Sequence, residues 1–250
     1  MKTTNLILAI GLIFMYSCNS DDDASADTCS ITVPADLPDV SLAVFSNSTN
    51  ITNIFYGPAS GKIYVYEAQE VGELPDEETR LERISTTKVI KGITCITQRD
   101  RVYKDEILIE DTDDWLAQDD DGNLWYFGED VKNYDESGNF LDDEGSFEYG
   151  VDCALPGYWL PANPVVGQTY HQEYYEDVAE DKAEVIRINQ TVTIGLGTYT
   201  GCLVTRDVNP LDPEEYEIKS YAPNIGFIKA ELFDADDVLI QTEELVEIIE

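Results

Sequence analysis

The sequence predicts an all-β protein of antiparallel meanders, arranged as two related β units from an internal duplication. Three observations carry that expectation. Short runs of Thr, Val, Ile, Tyr and Phe recur along the chain, with Gly, Asn, Asp and Pro between them. No long crossover helix separates these runs, so short turns should join successive strands in antiparallel pairs. Finally, the two halves match each other in order. Gly61-Lys-Ile-Tyr64-Val-Tyr-Glu67 parallels Gly167-Gln-Thr-Tyr170-His-Gln-Glu173, an offset of 106 from 61 to 167. Cys95-Ile-Thr-Gln-Arg99-Asp100 parallels Cys202-Leu-Val-Thr-Arg206-Asp207, an offset of 107 from 95 to 202.

Residues 1–17 read as a signal peptide. Lys2 gives a positive start, Leu6 to Phe14 is apolar apart from one glycine, and Ser17 supplies a small residue before a cleavage point. The apolar stretch is too short to cross a ~30 Å hydrocarbon core as a helix. Cys18 directly after Ser17 resembles the lipobox of bacterial lipoproteins, which makes Cys18 the expected lipid-attachment residue. Cys18-Asn19-Ser20-Asp21-Asp22-Asp23 is similar to the acidic tether of surface lipoproteins of Bacteroidota. That resemblance implies a lipid-anchored protein of the outer membrane, exposed at the cell surface. Residues 18–30 are small and acidic, with no apolar face, and are expected to be a disordered tether.

The first β unit is expected over 31–130. Ile63-Tyr64-Val65-Tyr66 and Thr94-Cys95-Ile96-Thr97 are strand runs, and Leu124-Trp125-Tyr126-Phe127 follows the hairpin turn Asp120-Asp121-Gly122-Asn123. Residues 131–164 form a connection that holds a second hairpin turn, Glu136-Ser137-Gly138-Asn139, and a loop rich in Pro and Gly from Pro156 to Pro164. The second β unit spans 165–250. Within 174–188, Ala179, Ala183 and Ile186 sit at helical spacing. Strand is nevertheless expected, because Val185, Ile186 and Ile188 are β-branched. Asp234-Ala235-Asp236-Asp237 is a third turn, and Val238 to Ile249 reads as a final strand.

The chain carries 15 Lys and Arg against 51 Asp and Glu, a net charge of -36. Phosphate backbones would be repelled, which excludes nucleic acid as a partner. Anionic headgroups would be repelled too, so membrane contact is expected through the lipid anchor alone. Besides Cys18 there are Cys29, Cys95, Cys153 and Cys202, which allow three full pairings in an oxidising compartment. Cys95 and Cys202 occupy equivalent apolar strands, where each can fill its own core. Cys29 and Cys153 lie outside the repeats in loop-like surroundings and are the expected disulfide.

From about Phe55 to Phe233 the chain resembles a family of uncharacterised secreted and lipid-anchored bacterial proteins. The residues that carry the resemblance are Asp114 to Glu129, Ala154-Leu-Pro-Gly157, Pro161-Ala-Asn-Pro164, Gln172-Glu-Tyr-Tyr175, Ala179-Glu-Asp181 and Tyr221-Ala-Pro-Asn-Ile-Gly226. The resemblance implies a recurring β fold and no particular chemistry. Cys153 stands where that pattern has glycine, consistent with a disulfide peculiar to this chain.

Several residues are candidates for chemistry. Asp119-x-Asp121-Gly122-Asn123 resembles the start of a calcium loop, so Asp119, Asp121 and Asn123 are candidate ligands for Ca2+. The EF-hand pattern fails around them, with Ala117 at the first ligand position and Gly128 at the twelfth. The plainer reading is a hairpin turn. Glu173, Glu176, Asp177, Glu180 and Asp181 form a second acidic cluster, read as a solvated strand edge. His171, the one histidine, has no serine-nucleophile pattern to serve. Tyr158 and Trp159, in the Pro/Gly loop, are the candidate binding residues, as an exposed platform for a protein or glycan ligand. The expected function is therefore a non-enzymatic binding or interaction module. Three alternatives stay open: a calcium-dependent adhesion or structural module, a hydrolase with paired carboxylates, and a lipid carrier. The hydrolase needs a deep pocket with two carboxylates of raised pKa, and the carrier needs an apolar lumen open at one end.

Overall fold

Five long strands run through the first half of the chain: β1 (Ile63–Glu70), β2 (Glu77–Ile90), β3 (Ile93–Lys104), β4 (Ile107–Gln118) and β5 (Leu124–Tyr134). Short strands β6 (Phe140–Asp142) and β7 (Phe147–Glu148) fold back on β5, and β8 (Leu155–Leu160) also pairs with it. Two short strands follow, β9 (Thr169–His171) and β10 (Glu173–Tyr174). A second run of five long strands follows, β11 (Lys182–Ile194), β12 (Gly197–Val208), β13 (Glu215–Ala222), β14 (Gly226–Asp234) and β15 (Leu239–Ile249). The computed structural model describes Cys29 and residues 31–250. The signal segment 1–17, Cys18 and the rest of the tether 18–30 lie outside the described residues.

All pairings among these strands are antiparallel, and no α-helix occurs among the described residues. All three expected turns join strands, and residues 182–194 and 239–249 are strands as their β-branched residues suggest. The strand order is β10-β8-β5-β4-β3-β2-β1-β15-β14-β13-β12-β11-β9. The two ends of this path are consecutive in the chain. His171 of β9 pairs with Lys182 of β11, Glu173 of β10 pairs with Pro156 of β8, and only Gln172 separates them. Residues 169–174 thus stitch the two edges together and close the sheet into a barrel, which leaves no long open edge to aggregate. The stitch is tight: a Cβ on Gly157 of β8 would lie 2.1 Å from the carbonyl oxygen of His171, so only glycine fits there.

Closure needs curvature, and register shifts supply it. One lies between Ile84 and Thr87 of β2, and others fall between Val185 and Thr191 of β11. Residues 31–250 form one compact unit.

One end of the barrel is sealed by the segment 51–58. The Gln118 side chain accepts from the backbone N–H of Thr52 and Asn53 at 2.7 and 2.8 Å, and Asn53 Nδ2 donates to the carbonyls of Gly122, Leu160 and Pro161. The N–H of Asn224 donates to the carbonyl of Ile54 at 2.6 Å. Here the turn after β13 meets the segment backbone to backbone. A Cβ on Gly57 would stand 1.5 Å from the carbonyl oxygen of Ile225.

Candidate functional site

The barrel encloses a lumen of about 500 Å³. Why it exists is visible in the strand registers. Ala230 pairs with Glu243 across β14 and β15, Glu243 pairs with Ala68 on β1, and Ala68 pairs with Glu77 on β2. All four line the lumen, and the two alanines in this row leave a volume that larger side chains would fill.

The lining is polarised along the barrel axis. Towards the sealed end it is aromatic: Phe55, Tyr56, Tyr66, Trp159, Tyr221 and Phe227. Towards the opposite end, where the β1–β2, β3–β4 and β14–β15 hairpins turn, it is acidic: Glu77, Asp100, Glu110, Glu217 and Glu243, with Lys219 as the one cation of the lining. That lysine is already engaged. Its Nζ lies 2.9 Å from Glu217 and 3.5 Å from Asp207, and these carboxylates hold its pKa well above the usual lysine range against the effect of burial.

The other acids lack such a partner. Burial raises Asp100 well above the ordinary carboxylate range, and the negative charges of Asp114, Glu243 and Glu110 add to it. Burial likewise pushes Glu243 up to about 7, against a hydrogen bond with Thr79. Two polar atoms of the lining are buried with no hydrogen-bond partner among the described residues: Asp100 Oδ1 and the Tyr56 hydroxyl. Leaving such atoms unpaired costs stability.

A further band of buried acid lies outside the lumen lining. Tyr126 donates to Asp114 Oδ1 at 2.6 Å and Gln98 Nε2 to Oδ2 at 3.0 Å, yet burial still lifts Asp114 to about 6. Glu129, Glu173, Asp181 and Asp207 are all raised, each chiefly by burial.

The sequence candidates fare differently. Tyr158 and Trp159 are on strand β8, not on a loop, and both are half-buried. Tyr158 packs edge-on against Trp125 at 4.6 Å between ring centroids, and Trp159 against Tyr126 at 4.9 Å. Tyr158 and Trp159 therefore do not form an exposed platform. Pro156 and Gly157 extend rather than bend the chain because β8 pairs with β5, and Trp159 looks into the lumen instead of outward.

Asp119 is 5 % exposed and its carboxylate is fully used. Oδ1 accepts from Asn123 N, and Oδ2 from Asn123 Nδ2 and Trp125 Nε1, all within 2.9 Å. Asn123 Oδ1 accepts from Ala162 N, while Asp121 is exposed. The three residues are thus not assembled as a calcium ligand set, and no group of three His, Cys, Asp or Glu side chains among the described residues is placed to hold a metal ion. Glu173 is 4 % exposed and accepts from Asp181 N, so the expected solvated edge holds for Glu176 and Asp177 but not for Glu173. The reason is the barrel stitch, which turns Glu173 inward between β8 and β11. His171 lies with Nδ1 3.0 Å from Asp36, and Asp36 also meets Lys182 at 2.6 Å.

Cys95 and Cys202 are free and wholly buried, in separate cores, and burial pushes the Cys95 thiol up to about 12. Cys29 and Cys153 are each disulfide-bonded. The lumen acids were missed by sequence reasoning, although one signal was present: Asp100 ends the Cys95–Asp100 segment, and the similar segment Cys202–Asp207 ends in the buried Asp207.

No protein-family model matches the chain, and no curated protein matches it. Solved structures similar to it include a protein classed as a lipoprotein from Parabacteroides distasonis, with 13% identity and a TM-score of 0.47. The similarity covers 78% of this chain and 98% of that one. Another is an exported protein with a YmcC-like fold from Bacteroides fragilis, with 13% identity and a TM-score of 0.45, covering 79% of this chain and 100% of that one.

Proposed function

We propose that the protein is a lipid-anchored, exported binding protein that takes a small molecule into its barrel lumen. The observation that carries this reading is the lumen itself: a cavity of about 500 Å³ with aromatic walls at one end and converging polar groups at the other. That size and mixture suit a small-molecule site. The anchor rests on the signal segment and Cys18. The acidic tether favours the outer membrane, with the barrel at the cell surface. The lipid-carrier alternative fits the lining less well, because an acyl chain would have to lie against Asp100 and Glu243.

The hydrolase alternative is favoured by one observation, a pair of carboxylates of raised pKa in a deep pocket, Asp100 and Glu243, with Glu77 also raised in the same lining. Acid–base catalysis needs a divided pair, with one carboxylate held ionised and the other protonated. Here both are shifted the same way, so binding remains the better reading.

The test uses a mixed small-molecule library, thermal-shift detection and an Ala230→Phe variant. Ala230 lines the lumen, and the phenyl ring fills space without changing charge. Compounds that stabilise the natural protein and not Ala230→Phe support the reading. A library whose hits stabilise both proteins equally rejects it.

A further inference from the structure

We propose that the ligand of this lumen is an amphipathic organic cation, its ammonium group held between Asp100 and Glu243 and its apolar body against the aromatic end. The inference rests on the lumen-binding reading above and gives that ligand a chemical class.

The argument begins with charge. Five carboxylates line the lumen, and its one lysine is bound to Glu217 and shared with Asp207, which leaves Glu77, Asp100, Glu110 and Glu243 outside any ion pair in the lining, with Lys219 attracting Asp100 and Glu243 only from beyond ion-pair distance. A buried carboxylate that is neither paired nor fully hydrogen-bonded is costly, and a fold that keeps one has a use for it. An incoming cation supplies the missing partner. An anionic ligand would add to the repulsion, and a neutral one would leave the acids to relieve it by taking up protons.

The second observation is independent of charge. Asp100 Oδ1 and the Tyr56 hydroxyl are buried, line the same cavity and make no hydrogen bond among the described residues. A small rotation of either side chain would bring these atoms from beneath the lining, where an ammonium group offers N–H donors to the Asp100 carboxylate and a polar substituent on the ligand body can meet the Tyr56 hydroxyl.

The third is the aromatic end. The ring of Phe227 lies within 6 Å of two others, Tyr66 at 5.1 Å and Tyr221 at 5.9 Å between centroids. With Trp159 they form apolar walls next to the acids. Such faces take hydrocarbon or aromatic bodies and also favour a nearby cation. A bare metal ion matches this lining poorly. The aromatic half would have nothing to bind, and no metal-holding trio of side chains occurs among the described residues.

The experiment compares three probes of one shape, phenethylammonium, 2-phenylethanol and phenylacetate, by calorimetry on the full chain in detergent. The expected result is at least tenfold tighter binding of the ammonium than of the alcohol, and none of phenylacetate. The preference should fall to near parity in Asp100→Asn and in Glu243→Gln, so that one variant suffices if the other does not fold. Ala230→Phe keeps the net charge and should lose the binding, which separates the lumen from general attraction to an acidic surface. Equal binding of ammonium and alcohol would overturn the cation and leave the lumen reading standing. No binding of any probe, with library hits that still vanish in Ala230→Phe, would do the same. If those hits are absent too, both readings fall.

Discussion

Replacing Glu243 with glutamine should stabilise the protein at pH 8 and leave it unchanged at pH 4. Glu243 lines the lumen from β15, and burial lifts its carboxyl from the ordinary 4.5 to about 7. A carboxyl whose folded-state pKa is raised binds its proton more tightly in the folded than in the unfolded chain. Below the unfolded value it is protonated in both states and costs nothing. Between about 4.5 and 7 the unfolded chain ionises first, and folding loses stability as pH rises. Above about 7 the loss is complete. At about 1.4 kcal/mol per pKa unit the shift corresponds to roughly 3 kcal/mol. Glutamine keeps the shape and the hydrogen-bonding capacity toward Thr79 and removes the charge. For a chain of this size each kcal/mol moves the melting temperature by about 2–4 °C, so a rise of about 5–10 °C is expected at pH 8. The assay is a thermal melt of natural and variant protein side by side across pH 4 to 8. Taking the difference at each pH largely cancels the general self-repulsion of a chain with a net charge of -36. A variant that melts at or below the natural protein at pH 8, or that gains equally at pH 4, would refute the reasoning.

Other expectations follow from the same structure. Asp119→Ala should cost about 2–4 kcal/mol in urea titration, because it strips three hydrogen bonds from the β4–β5 turn and orphans the buried Trp125 N–H. Calcium and magnesium should give the same melting temperature, and a calcium-specific rise lost in Asp121→Asn would reinstate a site at the turn. Gly57→Ala should lower the melting temperature, since its Cβ would strike the Ile225 carbonyl; an unchanged melt would show that the segment 51–58 does not seal the barrel. Peptide mapping without reductant should recover Cys29 joined to Cys153, and reduction should cost about 2–4 kcal/mol. Metabolic labelling with a fatty acid should mark the natural chain and not Cys18→Ala.

Much of the fold was legible because its signals are local. Asp120–Asn123, Glu136–Asn139 and Asp234–Asp237 each sit at a joint between strands, where Asp, Asn and Gly satisfy the turn backbone with their own side chains or tolerate positive φ. Gly122 does so at φ 90. The matching segments of the two halves fall on strands: Gly61–Glu67 and Gly167–Glu173 lead into β1 and β9, and the Cys95 and Cys202 segments lie on β3 and β12. Several residues that carry the family resemblance have turned out to serve the sealed end of the barrel. Asn123 receives Ala162, and Asn224 and Gly226 receive the segment 54–57.

What stayed hidden depends on closure. Pro156-Gly157 reads as a bend, and only pairing with β5 makes it a strand and aims Trp159 inward. Glu173 reads as surface charge until residues 169–174 join the two sheet edges and bury it. Asp100 and Glu243 are 143 positions apart in the sequence, counting from 100 to 243, and share a cavity only because β1 pairs with both β2 and β15. Strand periodicity says which residues share a face, and here the inward face carries acids that composition assigns to solvent.

The central claim is that a ligand occupies the lumen, and Trp159 offers the most direct test because it is the one tryptophan of three that lines it. Titrating phenethylammonium while following tryptophan emission should give a saturable change that disappears in Trp159→Phe and persists in Trp115→Phe. A change that survives Trp159→Phe would place the ligand outside the lumen and contradict the account.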